Sequence, residues 1–300
     1  MAQAFERYRP IIPDFPAFLS ALQMPQPTHL RINPLRVTRE EFQRAMAERG
    51  YRLTEVAGIS DAFRWESASG PGSTLEYFRG WYQVQGLTSM LPALILDPQP
   101  GDRLLDMCAA PGGKATYLAQ LTQNRALILA NDVTHHRIGI LRSHCDRLGI
   151  TSMVVTRYQG QSFPMRMLFD RILLDPPCSA EGTYRTGTRP PLSEDRQISY
   201  RLQRLQQMLL ARALKLLRPG GTLVYSTCTY APEENEAVLQ QAIEAGRAEL
   251  VPIDIPFPRA PGLEVWNGQR FHPSLKQAAR FYPHLLDSWG FFIARLRKPS

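Results

Sequence analysis

Residues 104–120 read LLDMCAAPGGKATYLAQ, with an apolar start typical of a strand, a turn of small residues and a helical end. The small side chains and the pair Gly112 and Gly113 let the backbone approach a ligand, just before a helix N-terminus. The segment matches neither the GxxxxGKS/T pattern of a P-loop nor the GxGxxG pattern of a dinucleotide site. A glycine-rich turn can also serve tight packing alone. The segment therefore predicts a βα unit with a candidate ligand loop and leaves the ligand open.

From residue 103 onward, short apolar segments alternate with helical ones, as is typical of a parallel sheet with crossover helices. The predicted fold class is therefore α/β, a doubly wound, Rossmann-like sheet in which ligands bind at the carboxyl ends of the strands. The predicted strands cover residues 103–107, 126–130, 152–156, 170–174, 222–226 and 291–296. The predicted helices cover residues 137–148 and 198–216, the second with a core-facing stripe of Ile198, Leu202, Leu205, Leu209 and Leu216.

The first 75 residues mix proline-rich loops with one clear helix signal. Thr38, followed three residues later by Glu41, forms a capping box that predicts a helix start. The Gly- and Pro-rich segment 67–73 is typical of a linker. We therefore predict a small α/β appendage over residues 1–75 and a larger domain over residues 76–300.

The 300 residues include 35 Lys and Arg against 27 Asp and Glu, which gives a net charge of +8 and an isoelectric point near 9.5. A basic chain favours polyanionic partners such as nucleic acid, although charge cannot name one. The start lacks the apolar core of a secretory signal. The longest aliphatic run, near residues 91–96, is far below the roughly 18 residues of a membrane span. We expect a soluble, cytoplasmic protein with no membrane partner.

Four widely spaced cysteines, Cys108, Cys145, Cys178 and Cys228, include no CxxC pair. Neither a disulfide framework nor a metal site is indicated. Cys178 and Cys228 follow two strands that neighbour each other in the usual wound order, on the edge where a ligand would lie. A lone cysteine is more often a small buried side chain than a nucleophile, so the pair is the informative feature.

The second predicted strand of the sheet ends at Asn131 and Asp132. An acid at this position can accept hydrogen bonds from ribose hydroxyls. A helix cap is the alternative role for Asp132. Together with the glycine-rich turn, this acid suggests a ligand that contains adenosine.

Several segments together resemble the RNA 5-methylcytosine methyltransferases of the RsmB/RsmF and NOL/NOP/Sun type. The resemblance extends from about Arg31 to Lys298, and the pairing of DPPC with STC is highly specific. It implies a class I methyltransferase fold, S-adenosylmethionine (SAM) as cofactor and structured RNA as partner, with ribosomal favoured over transfer RNA. Apart from the resemblance, we expect a monomer without metal. The segments are LDMCAAPGGK at 105–114, DPPCS at 175–179, LRPGGTLVYSTCT at 217–229 followed by PEENE at 232–236, and GFFIARLRK at 290–298.

The resemblance also implies roles for four catalytic residues. Cys228 is the nucleophile that attacks C6 of cytosine, and Cys178 helps to release the methylated product. Asp175 contacts N3 and the exocyclic amine of the base, and Lys114 lies at the active site. A strand-end turn and a solvated helix start are the alternative roles for Asp175 and Lys114. The residues do not identify what activates Cys228.

By the same resemblance, the cofactor loop contacts the methionine part and ribose of SAM, Asp132 binds the ribose, and Asp175 lies beside the cofactor. Two positions depart from the family pattern. Gln159 stands where an acid usually contacts the adenine amine; its amide can still accept a hydrogen bond. Gly86 replaces another common acid, and we draw no role from its segment. The cofactor loop consists of Cys108, Ala109, Ala110, Pro111, Gly112, Gly113 and Lys114.

An RNA substrate needs a basic surface, since the target cytosine must leave its stack while the backbone is held. A non-catalytic RNA-binding or ribosome-assembly factor is the alternative function. DNA cytosine-5 methylation, with Cys178 as the attacking residue, and methylation of an exocyclic amine are further alternatives. The appendage is expected to bind RNA, and the candidate surface residues are Arg31, Arg36, Arg39, Arg185 and Arg189.

Overall fold

The computed structural model describes residues 2–185 and 196–300. Along the first 96 residues the elements are α1 (Ala2–Phe5), α2 (Phe15–Leu22), β1 (Thr28–Ile32), α3 (Arg39–Glu48), β2 (Leu53–Glu55), β3 (Ala62–Trp65), α4 (Leu75–Phe78), β4 (Tyr82–Val84) and α5 (Leu87–Leu96). Short 3-10 turns cover Glu6–Tyr8, Pro71–Ser73, Gly160–Ser162, Glu181–Thr183 and Pro273–Gln277.

Strands β1 to β4 form an antiparallel sheet in the order β2-β3-β1-β4. Phe42 of α3 packs into a core with Leu30 and Phe63 of this sheet. The hydroxyl of Thr38 accepts a hydrogen bond from the Glu41 N–H at 3.2 Å and caps α3. The predicted helix start is therefore confirmed.

Two features cross the predicted domain boundary at residue 75. Strand β4 lies beyond that boundary and pairs with β1. The first helices pack into the core of the larger domain, where the ring of Phe5 lies 5.6 Å from that of Tyr184 and the ring of Phe18 lies 5.4 Å from that of Tyr230. The boundary at residue 75 stays a prediction, and the pairing of β4 favours a later one.

Each predicted strand overlaps a strand of the structure, and β9 begins at residue 217 rather than 222. From residue 103 onward the elements are β5 (Arg103–Asp106), α6 (Gly113–Leu121), β6 (Leu127–Asn131), α7 (His135–Leu148), β7 (Met153–Thr156), β8 (Phe169–Leu174), α8 (Arg196–Leu216), β9 (Leu217–Thr227), α9 (Glu236–Glu244), β10 (Glu249–Val251), β11 (Ala260–Pro261), β12 (Val265–Trp266), β13 (Gln269–Arg270), β14 (Ala279–Phe281) and β15 (Phe291–Arg297).

The main sheet has the order β11-β14-β15-β9-β8-β5-β6-β7, with β10 paired to β15. Strands β9, β8, β5, β6 and β7 run parallel, and β15 runs antiparallel to β9. The chain winds from β5 through β6 to β7 and then returns to β8 and β9 on the other side of β5. The topological switch therefore lies between β5 and β8, where such sheets bind their ligands. The predicted Rossmann-like α/β fold is confirmed.

Helix α8 buries Leu209 and Leu216 as predicted. Ile198 is 40% exposed, so the prediction that it faces the core is wrong. The first turn of α8 instead directs Ser199 inward, where its hydroxyl donates a hydrogen bond to a carboxylate oxygen of Glu234 at 2.9 Å. None of the helices within the described ranges is long and apolar enough to cross a membrane.

Candidate active site

The conformation of the turn after β5 depends on Gly112, which has a φ of +107° and immediately precedes α6. A Cβ at Gly112 would lie 2.6 Å from Cδ1 of Leu141, so this turn also packs tightly against α7. The backbone of the turn is fixed to the next strand by the Ala109 N–H, which donates to the Asn131 carbonyl at 2.7 Å. Gly112 therefore shapes the loop, while its neighbours line a cavity.

Two cavities meet at the carboxyl edge of the sheet. Cys108, Arg137, Asp175, Ala180 and Cys228 line both of them. The first cavity, of about 460 Å³, is also lined by Met107, Asn131, Asp132, Val133, Thr134, Tyr158, Gln159, Gly160, Gln161, Pro176, Pro177, Cys178, Leu205 and Leu209. The second cavity, of about 640 Å³, is also lined by residues 26–29, 83–86 and 109–111, and by Ser89, Asp106, Gly113, Lys114, His144, Thr183, Trp289 and Phe291.

The two strand-end cysteines are brought together as the sequence predicted. The Sγ atoms of Cys178 and Cys228 lie 3.3 Å apart, and both side chains are half-buried. The hydrogen bond to Cys228, together with burial, raises the pKa of Cys178 well above its usual range. Cys178 therefore stays a protonated thiol that can donate to Cys228. Burial and the adjacent Asp106 also raise the pKa of Cys108, so it is no candidate nucleophile.

An ion pair lies beside the thiols. Nζ of Lys114 donates to Oδ2 of Asp175 at 2.7 Å, and the Ser226 hydroxyl donates to Oδ1 of Asp175 at 2.8 Å. Burial lowers the pKa of Lys114, but the charge of Asp175 and its hydrogen bond outweigh burial and leave that pKa raised. Lys114 is therefore a charged donor in the site.

Asp106, for which no role was predicted from the sequence, ends β5 and is 1% exposed. No side chain of the described residues donates a hydrogen bond to either carboxylate oxygen. Burial and the nearby charge of Asp175 raise the pKa of Asp106 to about 7. An unpaired buried carboxylate that lines a cavity indicates a cationic or donor group of a ligand. Its position at a strand end, two residues before Cys108, was the signal in the sequence.

Asp132 and Gln159 both line the first cavity. Asp132 is 4% exposed; its Oδ2 accepts from the Ala110 N–H at 3.3 Å and its Oδ1 from the Thr134 N–H at 2.8 Å. It thus ties the cofactor loop to the start of α7. Oε1 of Gln159 accepts from Nε2 of Gln161 at 3.2 Å.

Asn131, predicted only as a strand end, is a second residue with a structural role in the site. Its side-chain amide donates to the carbonyls of Met107 at 3.1 Å and Tyr158 at 3.0 Å. Asn131 thereby joins the loops that follow three neighbouring strands.

The predicted RNA-binding arginines divide into three groups. Arg31 and Arg185 are 0% and 1% exposed, so their prediction as surface residues is wrong. Arg31 donates to the Gly113 carbonyl at 3.1 Å, and Arg185 donates to the Ser288 carbonyl at 3.0 Å. Hydrogen bonds to buried backbone carbonyls thus explain why both side chains lie inside the protein. Arg36 is exposed and Arg39 half-buried, and Arg189 lies outside the described residues.

The sheet order, the switch point and the cavities at its carboxyl edge define a class I methyltransferase. The sequence model described as "16S rRNA methyltransferase RsmB/F" matches residues 93–297, and that of the "N-terminal domain of 16S rRNA methyltransferase RsmF" matches residues 2–86. The chain therefore belongs to the RsmB/F methyltransferase family.

Curated relatives extend beyond this chain. The human "28S rRNA (cytosine(4447)-C(5))-methyltransferase" is 39% identical over 94% of this chain and 36% of its own length. The Salmonella agona "Ribosomal RNA small subunit methyltransferase F" is 37% identical over 95% of this chain and 60% of its own length. The chain thus spans between about a third and three fifths of these two relatives.

Two crystal structures from Pyrococcus horikoshii are similar along nearly the whole chain. One, of a "methyltransferase homolog protein", has a TM-score of 0.87 and 34% identity, and the match covers 98% of this chain and 93% of that one. The other, "NSun6 … with SFG", has a TM-score of 0.84 and 25% identity, and the match covers 98% and 97%.

The cofactor of this family is SAM. The residues present fit its methionine part, because the unpaired carboxylate of Asp106 complements an amino group. The backbone N–H groups at the start of α6 complement a carboxylate.

Proposed function

We propose that the protein is a SAM-dependent rRNA (cytosine-C5)-methyltransferase that works through a covalent bond between Cys228 and C6 of the target cytosine. The observation that carries this proposal is the 3.3 Å thiol pair of Cys178 and Cys228, in which Cys228 lines both cavities and Cys178 lines the first. A methylation reaction needs a connected space that holds the methyl donor and the base side by side, with the reacting groups between them. Two thiols beside an ion pair suit addition chemistry on an aromatic base.

Cys228 is the attacking sulfur. The thiol of Cys178 holds its proton because its pKa is raised, so it can donate a hydrogen bond to the sulfur of Cys228 across 3.3 Å. When the thiolate forms the S–C6 bond, the electron pair of the C5=C6 bond becomes available at C5. The unreactive aromatic carbon is thereby converted into a nucleophile.

Asp175 and Lys114 bind the base and respond to its change in charge. Asp175 contacts N3 and the exocyclic amine of cytosine, where negative charge accumulates as sulfur adds. A proton shared between the carboxyl group and N3 stabilises that intermediate. Lys114 donates to Asp175 at 2.7 Å and supplies a fixed positive charge, which favours the same intermediate electrostatically.

SAM, when bound, supplies the methyl group as an electrophile. Asp106 of the second cavity would hold its amino group, and the loop from Cys108 to Lys114 would hold its methionine part and ribose. In the first cavity, Asp132 would accept hydrogen bonds from the ribose hydroxyls and Gln159 would bind the adenine.

Release restores the aromatic base. The C5 proton passes to water, its bonding pair forms the C5=C6 bond again, and the C6–S pair returns to Cys228 as a thiolate. Cys178 stabilises this leaving thiolate by the hydrogen bond that it donates across 3.3 Å. Cys178 therefore acts in release rather than in attack.

Two substitutions test the mechanism with unmodified rRNA and labelled SAM. Cys228→Ser should bind SAM normally and lose methyl transfer, whereas Cys178→Ser should accumulate a covalent RNA adduct that survives denaturation. Normal methylation by Cys228→Ser would overturn the assignment of the nucleophile. Adduct formation by Cys228→Ser and not by Cys178→Ser would instead point to the cysteine order of DNA cytosine-5 methylation.

The ribosomal substrate is supported by the names of both curated relatives described above. Bisulfite sequencing of total RNA, with and without the protein, should show one or a few cytosines in rRNA that depend on it. Sites confined to transfer RNA would contradict this substrate. Absent SAM binding in calorimetry at millimolar cofactor would favour a non-catalytic assembly factor.

A further inference from the structure

The tetrapeptide Glu233–Glu236, called here the EENE tetrapeptide, immediately precedes and begins α9, and no step above uses it. Its four side chains are between 0% and 6% exposed. Burial of three carboxyl groups within four residues is costly unless each is paired or hydrogen-bonded. Each of the four side chains in fact contacts a different part of the molecule.

Glu234 holds the loop that carries Cys178. Its Oε2 accepts from the Ser179 N–H at 2.9 Å and from Nε2 of Gln206 at 3.0 Å, and Gln206 also donates to the Pro177 carbonyl at 2.9 Å. The backbone is therefore fixed on both sides of Cys178. The Ser199 hydroxyl donates to Oε1 of Glu234.

Asn235 holds the segment that carries Cys228 in the same way. Its Oδ1 accepts from the Thr227 hydroxyl at 2.5 Å, and its Nδ2 donates to the Thr229 carbonyl at 3.1 Å. These bonds lie on both sides of Cys228. Asn235 is 0% exposed, so both bonds are shielded from bulk water.

The two cysteine segments are also joined to each other. The hydroxyls of Ser179 and Thr229, which follow the two cysteines, lie 2.7 Å apart. Since Glu234 and Asn235 are consecutive, one short rigid segment sets the positions of both thiols. A misplacement of about 1 Å can cost on the order of 100-fold in rate, so such a segment is a control point for catalysis.

The other two members of the EENE tetrapeptide contact other regions. Glu233 accepts from Arg7 at 2.6 Å and from the Trp266 indole at 3.0 Å. Glu236 forms an ion pair with Arg280, and its Oε1 accepts from the Leu263 N–H at 2.9 Å. Glu233 therefore provides a matched control, a buried carboxylate in the same tetrapeptide with no bond to either cysteine segment.

We propose that Asn235 and Glu234 are separate positioning residues for the two thiols. Asn235 orients Cys228 for attack on the base, and Glu234 orients Cys178 for release of the product. The inference rests on the proposed covalent mechanism and extends it, because neighbouring residues then control different chemical steps. A purely structural role would affect both steps alike.

The experiment uses an unmodified rRNA fragment that contains the target cytosine, and it measures two quantities. The first is methyl transfer in a single turnover with labelled SAM, and the second is the fraction of enzyme in a denaturation-resistant RNA adduct. Asn235→Ala should slow single-turnover transfer by about 10- to 100-fold and form little adduct. Glu234→Gln should keep the first turnover within about threefold of wild type, accumulate adduct and slow multiple turnover by about tenfold or more.

Glu233→Gln is the control and should match wild type in both measurements. Thr227→Val removes the hydrogen bond to Asn235, and Gln206→Met removes the hydrogen bond to Glu234. These two variants replace the first two if circular dichroism shows that the first two do not fold. Equal loss of both steps in the Asn235 and Glu234 variants, or loss in neither, overturns the inference. Absence of adduct and transfer in wild type would instead reject the proposed function.

Discussion

Asp106 has a buried carboxyl group whose pKa lies at about 7, so its charge changes near neutral pH. If it binds the amino group of SAM, only the ionised form is complementary. The affinity for SAM should therefore rise as the pH increases from about 6 to about 8 and then level off. Calorimetric titration across this range tests the prediction. Asp106→Asn should bind SAM weakly and without this pH dependence.

Ionisation of Asp106 should strengthen SAM binding, but it should lower the stability of the folded protein. Its pKa is higher in the folded protein than the ordinary value of 3.8, so the unfolded chain releases the proton more readily. The contribution of the protonated group to stability is complete below the ordinary pKa and is lost as the pH rises through about 7. Asp106→Asn should therefore melt at a higher temperature than wild type at about pH 8. A lower melting temperature would indicate that the carboxylate is already compensated.

At the scale of elements, Arg31 of β1 connects the appendage to the start of α6. It donates to the Gly113 carbonyl at 3.1 Å and to the Thr116 hydroxyl at 3.1 Å, and its guanidinium lies 4.2 Å from the centre of the Tyr117 ring. The helix start that Arg31 holds belongs to the cofactor loop. Its contacts predict an effect on SAM binding rather than on RNA binding.

Arg31→Met should leave these acceptors without a donor, which costs about 1–3 kcal/mol, and should weaken SAM binding. Arg36→Met is the matched control, because it removes an exposed charge and should lower RNA affinity with SAM affinity unchanged. Calorimetry with SAM and filter binding with RNA separate the two effects. Loss of RNA affinity alone in Arg31→Met would contradict the contacts seen for Arg31.

The strands and the strand-end residues could be predicted because each strand is a short apolar segment that is followed by a turn. The sheet then brings Asp175, Cys178 and Cys228 to one edge, as expected. The burial of Arg31 and Arg185 could not be predicted in this way. Residue type gives the charge of a side chain but not whether it points inward or outward. Both arginines donate hydrogen bonds to buried backbone carbonyls from distant parts of the chain.

For the whole molecule, the appendage and the larger domain do not divide at one place. The Tyr8 hydroxyl donates to Oε2 of Glu181 at 2.5 Å, and Glu181 also accepts from the Thr229 hydroxyl at 3.2 Å. The first turns of the chain thus reach the segment that follows Cys228. Composition and linker signals could not predict this arrangement, since it depends on contacts between residues more than 170 positions apart.

A substitution of Phe18 tests whether the first helices belong to the larger domain. Its ring is 0% exposed and contacts the rings of Phe5, Tyr230 and Tyr282. Phe18→Ala should therefore lower the free energy of unfolding of the larger domain by about 3–5 kcal/mol.

Phe78→Ala, the same change at a ring that is 67% exposed, should alter that free energy little. Urea unfolding followed by both tyrosine fluorescence and circular dichroism measures the two variants. If α1 and α2 instead formed an independent unit, Phe18→Ala would produce an early separate transition and leave the main one unchanged. A single shifted transition is the expected result, because the aromatic cluster joins the first helices to the strands that carry the site.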